Sequence, residues 1–141
     1  MFGISSYLAI ALSVVGLYIA AYFTLVYYKV IPASTSLMPQ VCRLDERTCQ
    51  TVLTTRYARV FGVPNSLLGI VYYTTVIVCM SGSWTSGFIG AALIAASWIA
   101  VALGGFLIYS LFFIIRIPCP LCITGHIINL ALALLLTLSH G

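Results

Sequence analysis

The chain has 141 residues, of which 62% are hydrophobic and 6% charged. That balance excludes a water-soluble globule, because one small core cannot hide so much apolar surface. The net charge of +4 rests on six basic residues, too few to build the basic face that nucleic acid requires, so no nucleic-acid partner is expected.

By length this is a single domain, residues 1–141. Met1 to Tyr28 carries no charge. The run exceeds the apolar stretch of a signal peptide and lacks a basic start, so a retained membrane helix is expected over Ser5–Val30. The next apolar segment, Asn65–Ser81, follows Pro64 and stops at Ser81-Gly82-Ser83. It is short for a span of about 20 residues and only just crosses. A third helix, Gly87–Ile115, is long and must tilt or project. The fourth covers Cys119–Leu138. The expected fold is all-α: a polytopic four-helix bundle in a lipid bilayer, with a loop carrying a short amphipathic helix between helices 1 and 2.

That loop, Ile31–Pro64, is the polar stretch of the chain. Pro32, Ser34, Thr35, Ser36 and Pro39 predict an extended first half. From Asp45, a capping residue, the apolar positions Cys49, Val52, Leu53, Val60 and Phe61 recur near helical spacing, with Gly62 as the stop. Cys49 falls on the buried face of this helix, and Cys42 lies in the looser segment before it.

Four spans place this loop and the start of helix 4 at one membrane face. Lys29, Arg43, Arg47, Arg56, Arg59 and Arg116 all lie there too. The positive-inside rule puts that face in the cytoplasm. Stable disulfides ordinarily belong outside it, with hyperthermophile cytosol an exception. The two expectations conflict.

The face carries two cysteine pairs. Cys119-Pro120-Leu121-Cys122 opens helix 4, and Cys42 and Cys49 stand in the loop with six residues between them. A Cys-x-x-Cys can open and close a disulfide, and a second pair can pass that disulfide on by thiol exchange. Prolines suit a first helical turn, and cysteines at i and i+3 share a face. The helix N-terminus and Arg116 favour thiolate. Electrons delivered to a membrane boundary need a lipid-soluble acceptor, for which a quinone is expected. Alternatives remain open: a loop disulfide that only staples the segment, or a zinc site on the two pairs. Structural zinc pairs are usually separated by about two to four residues, so no metal is assigned. Cys79 reads as core packing. Asn65 suits a helix cap, and His126, an ionisable residue inside a span, is a functional candidate. Tyr18, Tyr22, Tyr27, Tyr28, Tyr72 and Tyr73 belong to interfacial belts or packing, or line a site for a ring-shaped ligand. Gly87, Gly90, Ala91, Ala95, Gly104 and Gly105 read as close-packing positions of helix 3.

The four-helix plan, the pair Cys42 and Cys49, Pro64-Asn65-Ser66-Leu67-Leu68-Gly69 and Cys119-Pro120-Leu121-Cys122-Ile123-Thr124 together resemble the vitamin K epoxide reductase family, in its prokaryotic, quinone-linked form. The resemblance covers nearly the whole chain. It implies that Cys119 and Cys122 are the catalytic pair beside a quinone of menaquinone, ubiquinone or vitamin K type. It implies that Cys42 and Cys49 are the shuttle pair, Cys49 exchanging with Cys119 and Cys42 with a partner. It further implies that Asn65 hydrogen-bonds a quinone oxygen, with Ser66 its family neighbour. His126 stands where vertebrate members carry tyrosine, and it can still donate a hydrogen bond or a proton. The expected enzyme is a quinone-dependent, disulfide-forming oxidoreductase of a prokaryotic plasma membrane. With no thioredoxin-like domain in the sequence, a thioredoxin-fold partner is expected in trans. Within the family, vitamin K epoxide reduction in the endoplasmic reticulum is the alternative, and the end Leu138-Ser139-His140-Gly141, without a basic tail, argues against it. From another class, a non-catalytic membrane protein with a stapled or zinc-bound loop is the alternative.

Overall fold

The computed structural model describes residues 3–28, 59–60, 63–115 and 120–140. Helix α1 runs Ile4–Tyr27, α2 Asn65–Ser81, α3 Gly87–Tyr109 and α4 Pro120–His140. A π-helical turn, Ser110–Ile115, continues α3. The all-α bundle expected from the sequence is present, and α2 has the predicted bounds. Helix α1 ends earlier than Val30, and the segment carrying Lys29 and Val30 lies outside the described residues.

Three helices are long and apolar enough to cross a membrane: Ile4–Leu25, Gly87–Ile114 and Cys122–His140. Helix α2 has 17 residues. At 1.5 Å per residue it is about 26 Å long, slightly under the hydrocarbon thickness of roughly 30 Å. Two features explain where it stops. Gly82 and Ser83 form a turn, in which Ser83 takes a positive φ of 57°. Gly87 opens α3 at φ 62°, with open space around its Cα. Gly87 therefore serves backbone geometry rather than close packing. Gly105 also faces open space, and Ala91 and Ala95 are exposed, so these three correct the close-packing expectation as well. Gly90 and Gly104 do pack closely: a Cβ on Gly90 would stand 2.0 Å from the Thr85 carbonyl oxygen.

Most of the loop between α1 and α2, Asp45 to Ala58 included, lies outside the described residues. The expected amphipathic helix included Val60, and there the structure has a strand instead. Arg59–Val60 (β1) pairs antiparallel with Val63–Pro64 (β2), Val60 opposite Val63. Both paired valines are β-branched, which favours extended backbone.

The helices pack α1 on α2, α1 on α4 and α3 on α4, whereas α2 and α3 scarcely meet. On α1, Ala9, Ser13, Gly16, Ala20 and Thr24 form a buried stripe of small residues. Such stripes let helix backbones approach where lipid supplies no hydrophobic drive. The registers are antiparallel. The Thr24 hydroxyl reaches Ser66 Oγ at 3.0 Å, and the face of Gly16 takes the ring of Tyr73. Between α3 and α4, Trp98 Nε1 donates to Thr137 Oγ1 at 3.0 Å, and Gly104 lies against His126. The gap between α2 and α3 is bridged by Tyr72, whose hydroxyl stands 2.7 Å from Ser97 Oγ. Buried Tyr73, Val76, Met80, Leu93, Ile128, Leu132 and Leu136 fill the centre, with Cys79 among them as core packing. Phe88, Val71, Ile99 and Phe113 are exposed, an apolar surface of the kind a bilayer accommodates.

Candidate functional site

Helices α2 and α4 both start at the end of the bundle where α1 finishes. Thr24 meets Ser66, and Tyr73 on α2 reaches Gly125 and Asn129 on α4. Cys122, in the first turns of α4, therefore lies near the end where α1 finishes and α2 begins. Cys42, Cys49 and Cys119 themselves lie outside the described residues.

Cys122 is described. It is half-buried in the first turns of α4 and packs against the core cluster. At about 100° per residue, His126 and Asn129 stand within roughly 40° of it around the helix. The face has two flanks. On one, His126 lies against α3: a Cβ on Gly104 would fall 2.7 Å from its Nδ1 and 3.2 Å from its Cγ. On the other, Asn129 points to α2, where its Oδ1 accepts the Tyr73 hydroxyl at 2.5 Å. Cys122 occupies the angle between them, toward the gap that α2 and α3 leave. His126 is half-buried, as a residue lining this gap must be.

Asn65 is the first residue of α2 and is half-buried, and its side chain takes part in no hydrogen bond among the described residues. Ser66 is engaged with α1 through Thr24, whose hydroxyl also lies 2.8 Å from the Ala20 carbonyl. It acts in helix packing at this end. The structure thus brings Cys122 and His126 to one face of α4 and Asn65 and Ser66 to the matching end of α2.

Sequence reasoning passed over Asn129 and the role of Tyr73. Tyr73 is buried, its ring fits where Gly16 has no side chain, and its hydroxyl also approaches the Gly125 carbonyl at 3.5 Å. The signal was present: Asn129 is the lone carboxamide within α4 and lies seven residues after Cys122, hence on its face. A polar side chain inside a span is costly unless it has work to do. Of the tyrosines, Tyr22 and Tyr73 are core residues, Tyr72 bridges to α3, and Tyr18 and Tyr28 are exposed.

Three apolar helices of spanning length define an integral membrane protein. The model of the vitamin K epoxide reductase family matches residues 7–137, and the chain belongs to that family. It is similar to the vitamin K epoxide reductase complex subunit 1 of Mus musculus, 31% identical over 103 residues, a match covering 62% of this chain and 62% of the relative. The Rattus norvegicus protein of the same name is 32% identical over 103 residues with the same coverage. The match spans less than two thirds of these relatives' own length.

Proposed function

We propose that this protein is a quinone-dependent thiol oxidoreductase that makes disulfides in a thioredoxin-fold partner. The carrying observation is the position of Cys122: in the first turns of α4, packed against the core, near the end of the bundle where α1 finishes and α2 begins. Membership of a family named for a quinone-epoxide reductase supports the reading.

The exchange proceeds in balanced steps. A partner thiolate attacks the Cys42–Cys49 disulfide, and the partner leaves oxidised while Cys42 and Cys49 become thiols. Cys49 then attacks Cys119 in the Cys119–Cys122 disulfide, and Cys122 leaves as a thiolate. Cys42 displaces Cys119 from Cys49, closing the loop disulfide again. A bound quinone accepts two electrons and two protons from the Cys119/Cys122 dithiol, whose disulfide is thereby restored. The residues fit such a ligand. The open carboxamide of Asn65 offers N–H donors to an oxygen that gains charge on reduction. His126 offers an imidazole that can donate a hydrogen bond. Cys122 lies deeper than the helix mouth, on the side a lipid-soluble acceptor approaches.

The test is quinone reduction by purified protein supplied with a reduced thioredoxin-like donor. Wild type should turn over, and Cys122→Ala should not. Quinone reduction that survives Cys122→Ala sinks the relay. A second reading, reduction of a vitamin K epoxide, is favoured by the names of the mouse and rat relatives. Turnover of the epoxide in the same preparation, faster than of quinone, would put that reading first.

A further inference from the structure

We infer that Asn129 is a second ligand-binding residue of the interior site. Its carboxamide nitrogen donates to a ring oxygen of the quinone, and Tyr73 positions it. The inference rests on the quinone reading above and adds a contact to it.

Three observations carry it. First, Asn129 shares the interior face of α4 with Cys122, about two turns deeper at 1.5 Å per residue. Second, the amide is held at one end only. Tyr73 donates its hydroxyl proton to Oδ1, which leaves both N–H groups unspent, since Asn129 forms no other hydrogen bond among the described residues. The nitrogen is not sealed in the core either, for Asn129 is half-buried beside the gap between α2 and α3. Third, the holding residue is itself fixed. The Tyr73 ring is buried against Gly16, where a Cβ would stand 2.5 Å from it, so the hydroxyl cannot swing away. With Oδ1 held by Tyr73, the NH2 group remains available as a donor to a ligand.

The chemistry matches. A quinone has two oxygens on opposite sides of its ring; both accept hydrogen bonds, and both gain electron density on reduction. One carboxamide serves one of them. Ser97 lies level with Tyr72, and Gly104, seven residues along α3, lies level with His126. Seven residues back along α2 from Tyr72 is Asn65. Tyr73, eight residues along α2 from Asn65, meets Asn129, so Asn129 lies deeper in the bundle than Asn65. Two carboxamides on facing helices at offset depths suit the two oxygens of one ring. The hydrogen bond from Tyr73 to Oδ1 also polarises the amide and strengthens its N–H donors.

Detergent-purified wild type, Asn129→Leu and Tyr73→Phe would be compared with menadione as the probe. Equilibrium binding would be read from tryptophan fluorescence, and turnover with a reduced thioredoxin-like donor. Asn129→Leu removes the donors at similar volume. It should weaken menadione binding and raise its KM about tenfold, the worth of one buried hydrogen bond. Tyr73→Phe keeps the ring and frees the amide, and should raise both by about threefold, an upper fraction of that effect. Oxidation of the donor by the loop cysteines in a single turnover should not change. If binding and KM stay at wild-type values while melting temperature falls in both variants, Asn129 only ties α4 to α2 and the inference is overturned. Should Asn129→Leu not fold, an unchanged KM in Tyr73→Phe overturns it equally. Wild type that neither binds nor reduces menadione removes the quinone reading, and the inference with it; the two failures are thus distinct.

Discussion

Gly104 and Gly105 are neighbours with opposite demands. A Cβ on Gly104 would press on the imidazole of His126 at 2.7 Å, whereas Gly105 has nothing within 4 Å. Gly104→Ala should therefore cost about 1–3 kcal/mol, as overpacking of a tight contact does. It should also lower quinone turnover by moving His126. Gly105→Ala should be neutral, or stabilising by up to about 1 kcal/mol, because alanine is the better helix former. Melting curves in one detergent would check the pair, and equal losses in both would contradict this account of His126. Both glycines read alike in the sequence, since spacing alone does not tell which of two adjacent residues faces the helix partner. Asn129 escaped notice for a related reason. One carboxamide in an apolar run declares a cost but not its partner, and Tyr73 is 56 residues away.

At the level of the helices, α2 was legible to the residue because Pro64 and Ser81-Gly82-Ser83 punctuate it. The π turn at Ser110–Ile115 was not, because its residues, Ser-Leu-Phe-Phe-Ile-Ile, carry the same apolar character as the helix before it. There the Ser110 hydroxyl donates to the Phe106 carbonyl at 2.9 Å. A buried serine bonding back to the preceding turn is a known source of local helix distortion. Across the bundle, Tyr72 and Ser97 form the hydrogen bond that joins α2 to α3. Tyr72→Phe and Ser97→Ala should each destabilise the protein, with a coupling energy of about 0.6 kcal/mol in a double-mutant cycle, the usual size for helices in lipid. Additive losses would mean that the two hydroxyls do not support each other.

For the whole molecule, the decisive asymmetry is charge. Helix registers put the end of α1 and the starts of α2 and α4 at one face. In the sequence, all six Lys and Arg fall in the segments that join helices at that face: Lys29, Arg43, Arg47, Arg56 and Arg59 before α2, and Arg116 before α4. The turn between α2 and α3, at the opposite face, has none. Orientation follows such a bias when the loops are short, as these are. The charge rule predicts that the cysteine face looks into the cytoplasm; under the function proposed above, the disulfides would then be cytoplasmic, against the usual placement of stable disulfides. An impermeant maleimide applied to reduced cells reads this directly from Cys42. Labelling only after lysis agrees with the charge rule. Labelling of intact cells would place the thiols outside and show that the basic residues are held there by something stronger than the rule. Substituting Arg43, Arg47, Arg56, Arg59 and Arg116 by Gln and adding two Lys at Ser81 and Ser83 leaves one basic residue on the cysteine side against two on the other, and should invert the labelling if charge sets the topology. If the pattern is unchanged, the apolar helices themselves fix the orientation.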